Sequence, residues 1–146
     1  MARPLVRHAL AALAAVALAA CGNDTVSSSA QLDITPDKPS YTAGSTATIT
    51  VRNVGSDPVL YNLCPYVVQR STPSGWVDAY EPLVSCFANL DTLEPGETTT
   101  TLVSIEAATP AGTYRVLFRN IGRIRNDEVS ADLQTRQSSR PFQVTG

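Results

Sequence analysis

Thr46-Ala47-Thr48-Ile49-Thr50-Val51-Arg52 alternates small or apolar residues with threonine and a closing arginine. A period of two is the signature of a strand with one face buried and one face wet. Ala47, Ile49 and Val51 are therefore expected to face a core, with the threonines and Arg52 facing water. No apolar stripe at helical spacing competes with this pattern, here or downstream.

Working outward, the same kind of run recurs between turn residues. Gln31-Thr35 reads as a first strand, closed by Pro36-Asp37-Lys38-Pro39. After the turn Asn53-Val54-Gly55-Ser56-Asp57 comes a strand over 58–63, and Tyr66-Val67-Val68-Gln69-Arg70 continues it or pairs with it. Ser71-Thr72-Pro73-Ser74-Gly75 reads as a hairpin turn into Trp76-Val77. An irregular stretch covers 78–89. Glu94-Pro95-Gly96-Glu97 is a turn before a strand over 98–105, Pro110-Ala111-Gly112 introduces a strand over 113–119, and 141–144 closes the chain. The polar run 126–139 reads as a long loop with at most a helical turn. Short strands rich in Val, Thr and Tyr, punctuated by Pro and Gly, predict an all-β fold. The expected architecture is an immunoglobulin-like antiparallel β-sandwich of about seven strands over residues 31–146. Tyr114, at the head of its strand, is placed for a tyrosine corner, its hydroxyl bonding back to nearby backbone.

Four strings carry a family resemblance: Tyr41-Thr42-Ala43-Gly44, Asn53 with Pro58-Val59, Leu93-Glu94-Pro95-Gly96-Glu97, and Ala111-Gly112-Thr113-Tyr114. Together they resemble bacterial immunoglobulin-like modules of the BsuPI-type proteinase inhibitor family, over roughly residues 32–119. The resemblance implies a fold and raises inhibition of an extracytoplasmic protease as an alternative function. It carries over no inhibitory loop motif.

The first thirty residues read as targeting. Arg3 and Arg7 precede an apolar run from Ala9 to Ala20, too short for a membrane span, which takes about 20 residues, but suited to a signal peptide. The run ends Leu18-Ala19-Ala20-Cys21, which resembles the lipobox of bacterial lipoproteins: an aliphatic residue, two small residues, then cysteine. The resemblance implies cleavage after residue 20, acylation of the Cys21 thiol, and anchoring to a membrane through that N-terminal lipid, two or more acyl chains being needed for a stable hold. Residues 21–30 are small and polar and read as a flexible tether. Gly22, in place of an aspartate after the lipidated cysteine, favours an outer-membrane position in a two-membrane cell. The expected location is the cell envelope.

Composition limits the chemistry. Beyond residue 20 the chain has nine basic against thirteen acidic side chains, a net charge of −4. An acidic domain repels a polyphosphate, so nucleic acid is not an expected partner. The only histidine, His8, lies in the leader. A Ser-His-Asp triad is thereby excluded from the mature chain, and zinc or type I copper sites lack their ligands. Lys38, between two prolines' reach, is the only lysine available to a Ser-Lys dyad. Asp78 and Glu81 form a possible carboxylate pair but read as solvated loop charges. No catalytic residue, metal site or cofactor is expected, and the chain is read as a non-catalytic module.

Cys64 and Cys86 are the remaining thiols, and an even pair in an exported chain reads as a disulfide. It would tie the irregular stretch to the strand ending at Leu63. Trp76, Tyr80 and Phe87 surround that stretch as candidate aromatic anchors, of the kind recognition surfaces use; core positions for Trp76 and Phe87 are the other reading. Arg115 and Arg119 alternate with Tyr114, Val116 and Phe118 and should face outward, heading a basic stripe that continues to Arg123 and Arg125. That stripe is either a solvated, edge-protecting strand face or a contact for anionic lipid or glycan.

Overall fold

The computed structural model describes residues 31–83, 85–87, 89–125, 128–129 and 135–146, with side chains outside the description at 123–125, 128–129 and 135. The leader, Cys21 and the tether lie outside the described residues. Eleven strands are described: β1 (Leu32–Pro36), β2 (Ser40–Thr42), β3 (Thr46–Asn53), β4 (Val59–Thr72), β5 (Gly75–Tyr80), β6 (Asp91–Leu93), β7 (Thr98–Ser104), β8 (Gly112–Arg125), β9 (Glu128–Val129), β10 (Thr135–Ser138) and β11 (Phe142–Thr145).

One sheet has the order β1-β3-β7 and the other the order β2-β11-β8-β4-β5, with β6 also on β4 and β9 and β10 also on β8. All pairings are antiparallel except that of β11 with β2. In immunoglobulin terms β1, β3 and β7 stand where strands A, B and E stand, and β4, β8 and β11 where C, F and G stand. The chain is an immunoglobulin-like sandwich, and β5 widens its larger sheet.

The two inner faces read from sequence meet. Ala47, Ile49 and Val51 from β3 and Tyr114, Val116 and Phe118 from β8 are all fully buried in one apolar cluster. Three aromatic contacts organise it. Tyr41 meets Phe142 edge-on at 5.2 Å, Tyr114 stacks on Phe142 at 6.5 Å, and Tyr66 meets Phe118 edge-on at 6.3 Å. The Tyr114 hydroxyl donates to the Pro110 carbonyl at 2.8 Å, the corner expected at the head of this strand.

Polar anchors hold the ends of the strands. Asn53 is fully buried with its amide satisfied: Nδ2 donates to the carbonyls of Asp57 (2.8 Å) and Leu93 (2.9 Å), and Oδ1 accepts from the Gly55 amide (3.0 Å). A buried amide is tolerated when its bonds are made, and then it fixes register. Gly96 has φ +84, the left-handed value a type II turn requires after Pro95, and Glu97 N donates to Glu94 O at 3.0 Å to close it.

The C-terminal stretch clamps the start of the domain. The Arg140 amide donates to the Ile34 carbonyl (2.8 Å) and its guanidinium meets Asp33 (3.0 Å). β11 then lies between β2 and β8.

Several boundaries differ from the sequence reading. The run after Cys64-Pro65 continues the one before it, one of the two readings left open, as a single 14-residue strand, β4. The strand from Thr113 continues to Arg125, and β5 reaches Tyr80, so 78–80 is not irregular. Within 126–139, read as a loop, β10 pairs with β8 through Ser138↔Leu117 and Gln137↔Phe118, and β9 pairs through Ile124↔Val129. Thr-Arg-Gln-Ser has no apolar alternation. It is a strand because the free backbone groups along β8 must be paired, a demand that overrides side-chain pattern.

Tyr41 gives one pH expectation. Its hydroxyl donates to Asp37 Oδ1 at 2.6 Å, and the same oxygen accepts from the Thr48 amide at 3.0 Å. Burial, reinforced by the Asp37 carboxylate, pushes the Tyr41 hydroxyl up to about 12, while the Tyr41 hydrogen bond leads in holding Asp37 below its ordinary value. A hydroxyl raised in the folded state contributes stability that is present below its ordinary value of 10.0 and lost as pH climbs towards about 12. Asp37 works in the opposite sense, its contribution being lost on acidification below its ordinary value of 3.8. Melts of Tyr41→Phe across pH should show a shallower alkaline decline than the wild type, the remainder coming from Tyr66 and Tyr80, which burial also raises. An unchanged slope would deny Tyr41 this role.

Candidate functional site

The site begins with a fault in a ladder. On β4 and β8, Asn62 pairs with Asn120 and Tyr66 with Phe118, so Leu63, Cys64 and Pro65 stand opposite Arg119 alone. A proline cannot donate to a ladder and survives within a sheet only at an edge or a bulge. Pro65 fits this central strand because the bulge is there. Bulges also re-aim side chains. Leu63 turns into the core while Cys64 reaches out to Cys86, closing the expected disulfide with Cα atoms 5.6 Å apart.

The bulge and the disulfide hold the segment between β5 and β6. Asn62 Oδ1 accepts from the Cys64 amide (3.0 Å), which orients its amide so that Nδ2 donates to the Phe87 carbonyl at 2.7 Å. The segment is thus fixed covalently at Cys86 and by a hydrogen bond at Phe87. Among its described residues three large apolar side chains point away from the core: Leu83 is fully exposed, Phe87 is 83% exposed and Leu90 40%. Beneath the segment a cavity of about 180 Å³ is lined by Cys64, Pro65, Tyr66, Glu81, Pro82, Cys86 and Arg119.

Beside it, the outer face of β5-β4-β8 carries a chain of polar contacts. Arg119 Nη2 lies 2.6 Å from Glu81 and 3.5 Å from Asp78. Asp78 accepts from Gln69 Nε2 at 2.8 Å, and Gln69 Oε1 accepts from Arg115 Nε at 2.8 Å. The Arg115 guanidinium sits 4.4 Å above the Trp76 ring, a cation–π geometry, and burial lowers its pKa from the ordinary arginine value. Val67 and Leu117, paired across the ladder on this same face, are buried although they lie outside the main core cluster.

The structure therefore places the sequence candidates unequally. Trp76 is half-buried on the outer face against Arg115. Tyr80 packs on the core and bridges the sheets, its hydroxyl donating to Ser104 O (3.1 Å) and accepting from Glu106 N (3.3 Å). Phe87 stands in solvent. Arg115 and Arg119 share the outer face, but each guanidinium is engaged by neighbours, so they do not present an open basic stripe; the side chains of Arg123 and Arg125 lie outside the description. Sequence reasoning missed Asn62, Gln69 and Leu83. Leu83 had a legible signal, an apolar residue between two cysteines in a stretch without periodicity. Asn62 and Gln69 had none, since their roles exist only in the ladder register. Among the described residues, no group of three or more His, Cys, Asp or Glu is placed to hold a metal ion.

No protein-family model matches the chain, and no curated protein matches it. Among solved structures it is similar to Bacillus subtilis Spo0M, a sporulation control protein, at 13% identity and a TM-score of 0.44, over 81% of this chain and 50% of that one. It is similar to the ASH/PapD-like domain 7 of human CEP192 at 17% identity and a TM-score of 0.35, over 95% and 94% of the two chains. A third likeness is to the Pseudomonas fluorescens alkylpurine DNA glycosylase AlkC, at 14% identity and a TM-score of 0.38, over 83% of this chain and 32% of that one. The chain thus spans about a third of AlkC and half of Spo0M. None of these likenesses lends it an activity.

Proposed function

We propose that the chain is a lipid-anchored envelope protein whose immunoglobulin-like domain is a non-catalytic binding module. The observation that carries the binding reading is the segment at Leu83 and Phe87. Two large apolar side chains are exposed on a backbone fixed by a disulfide and by Asn62. Exposing them forgoes roughly 1.5–3 kcal/mol each relative to burial, and a pinned segment gains nothing from being apolar unless something covers it. The disulfide agrees with an oxidising, extracytoplasmic location, and Leu18-Ala19-Ala20-Cys21 supplies the anchor. The partner is a protein or glycan, not nucleic acid, given the acidic charge.

Cys21→Ser tests the anchor. The wild type is expected in the membrane fraction and the variant as a soluble or unprocessed form. A cleaved variant that still sediments with membranes at wild-type size would defeat the lipoprotein reading. The second reading, inhibition of an extracytoplasmic protease, draws on the same pinned apolar segment, since a cleft for an apolar side chain would accept it. Stoichiometric block of an extracytoplasmic endopeptidase by the purified domain would replace the first reading with the second.

A further inference from the structure

We infer that Leu83 and Phe87, between β5 and β6, form a preorganised plug for a protein cleft with an apolar floor and a basic rim. The inference rests on the binding reading above and adds the chemistry of the partner. Preorganisation comes from the bulge in β4. It presents Cys64 to Cys86, and the Cys64 amide orients the Asn62 side chain that holds the Phe87 carbonyl. Both holds act within one residue of Phe87, so its side chain is offered with little backbone freedom left to lose on docking.

Charge selects the occupant. From 81 to 97 the chain carries four carboxylates, Glu81, Asp91, Glu94 and Glu97, and no lysine or arginine. Glu81 is shared with the nearby Arg119, which Asp78 also meets, so the net negative charge comes from Asp91, Glu94 and Glu97. An anionic leaflet would repel this segment as it approached, so Leu83 and Phe87 are not a membrane wedge. A second copy would bring the same carboxylates against themselves. A glycan offers no apolar pocket for two protruding hydrophobic side chains. A protein cleft that is apolar within and basic around answers both features, with Phe87 as the central anchor.

The test uses the anchored full-length chain with a benzophenone amino acid in place of Leu83, and at the exposed Thr100 of β7 as a control. Irradiation is expected to give one discrete protein adduct from position 83 and none from position 100. Phe87→Ser should lower its yield roughly tenfold or more, as loss of a central anchor does. Asp91→Asn with Glu94→Gln, or raised salt, should lower it several-fold. Cys64→Ala with Cys86→Ala should lower it while Phe87 is still present. The inference is overturned by an adduct with lipid, by an adduct with a second copy, or by a yield insensitive to Phe87→Ser or to salt. No adduct from a chain that fractionates with the envelope also overturns it and leaves the lipoprotein reading standing. A chain absent from the envelope in the same samples fails both.

Discussion

Phe118→Ala is expected to cost about 3–5 kcal/mol of folding stability, the range for truncating a buried phenylalanine. Phe118 is fully buried at the centre of β8, edge-on to Tyr66, where both sheets meet it. Removing the ring forfeits its transfer from water and leaves a cavity that neighbours on paired strands cannot collapse to fill. The loss approaches the whole stability of an ordinary domain. Arg119→Ala, one residue on, supplies the comparison. Its partners are exposed carboxylates and its side chain is 36% exposed, so its loss is expected to stay within about 1 kcal/mol. Denaturant melts of the two variants decide the matter. Equal losses would mean that β8 is out of register.

Opening the Cys64–Cys86 bond is expected to cost about 3 kcal/mol. In the chain-entropy model that is the value of closing a loop across a separation of 22 residues in the unfolded chain. The native side should respond locally, because the disulfide and the Asn62 hydrogen bond are what tie the segment between β5 and β6 to β4. Cys64→Ala with Cys86→Ala should lower the denaturation midpoint and, by releasing the unfolded chain, somewhat steepen the slope. Amide exchange should rise over 81–90 and stay slow in β3 and β8. A double variant as stable as the oxidised wild type would show that the bond constrains nothing the fold does not already hold.

Much of the fold was legible because most strands have one wet face. The alternations around Ile49 and Phe118 place both inner faces, and Pro95-Gly96 names its own turn. Legibility failed where that premise failed. Val67-Val68 and Val116-Leu117-Phe118 are apolar at consecutive positions, which signals burial on both faces. A period of two instead assigns Leu117, and with it Arg115 and Arg119, to open water. Cys64-Pro65 interrupts the alternation of β4, so the sequence leaves open whether one strand or two run through it. β2 and β6, three residues each, are shorter than any periodic signal. Of the candidate site, the cysteine pair was readable from count and compartment. The exposure of Phe87 was not, because it depends on where the bulge sends residue 64.

The place of β11 sets the order in which this chain can fold. β1 and β2 are among the first strands to appear, yet their partners Arg140 and residues 143–145 come last. A chain emerging N-terminus first, from a ribosome or through a membrane, can form the β4–β5 hairpin and the β1-β3-β7 sheet as it goes. It cannot seat Tyr41 against Phe142, or close the Tyr114 side of the core, until residue 142 has followed. Residues 140–145 act as a latch on β1 and β2. Until it closes, the side of the core that holds Tyr41 and Tyr114 stays open.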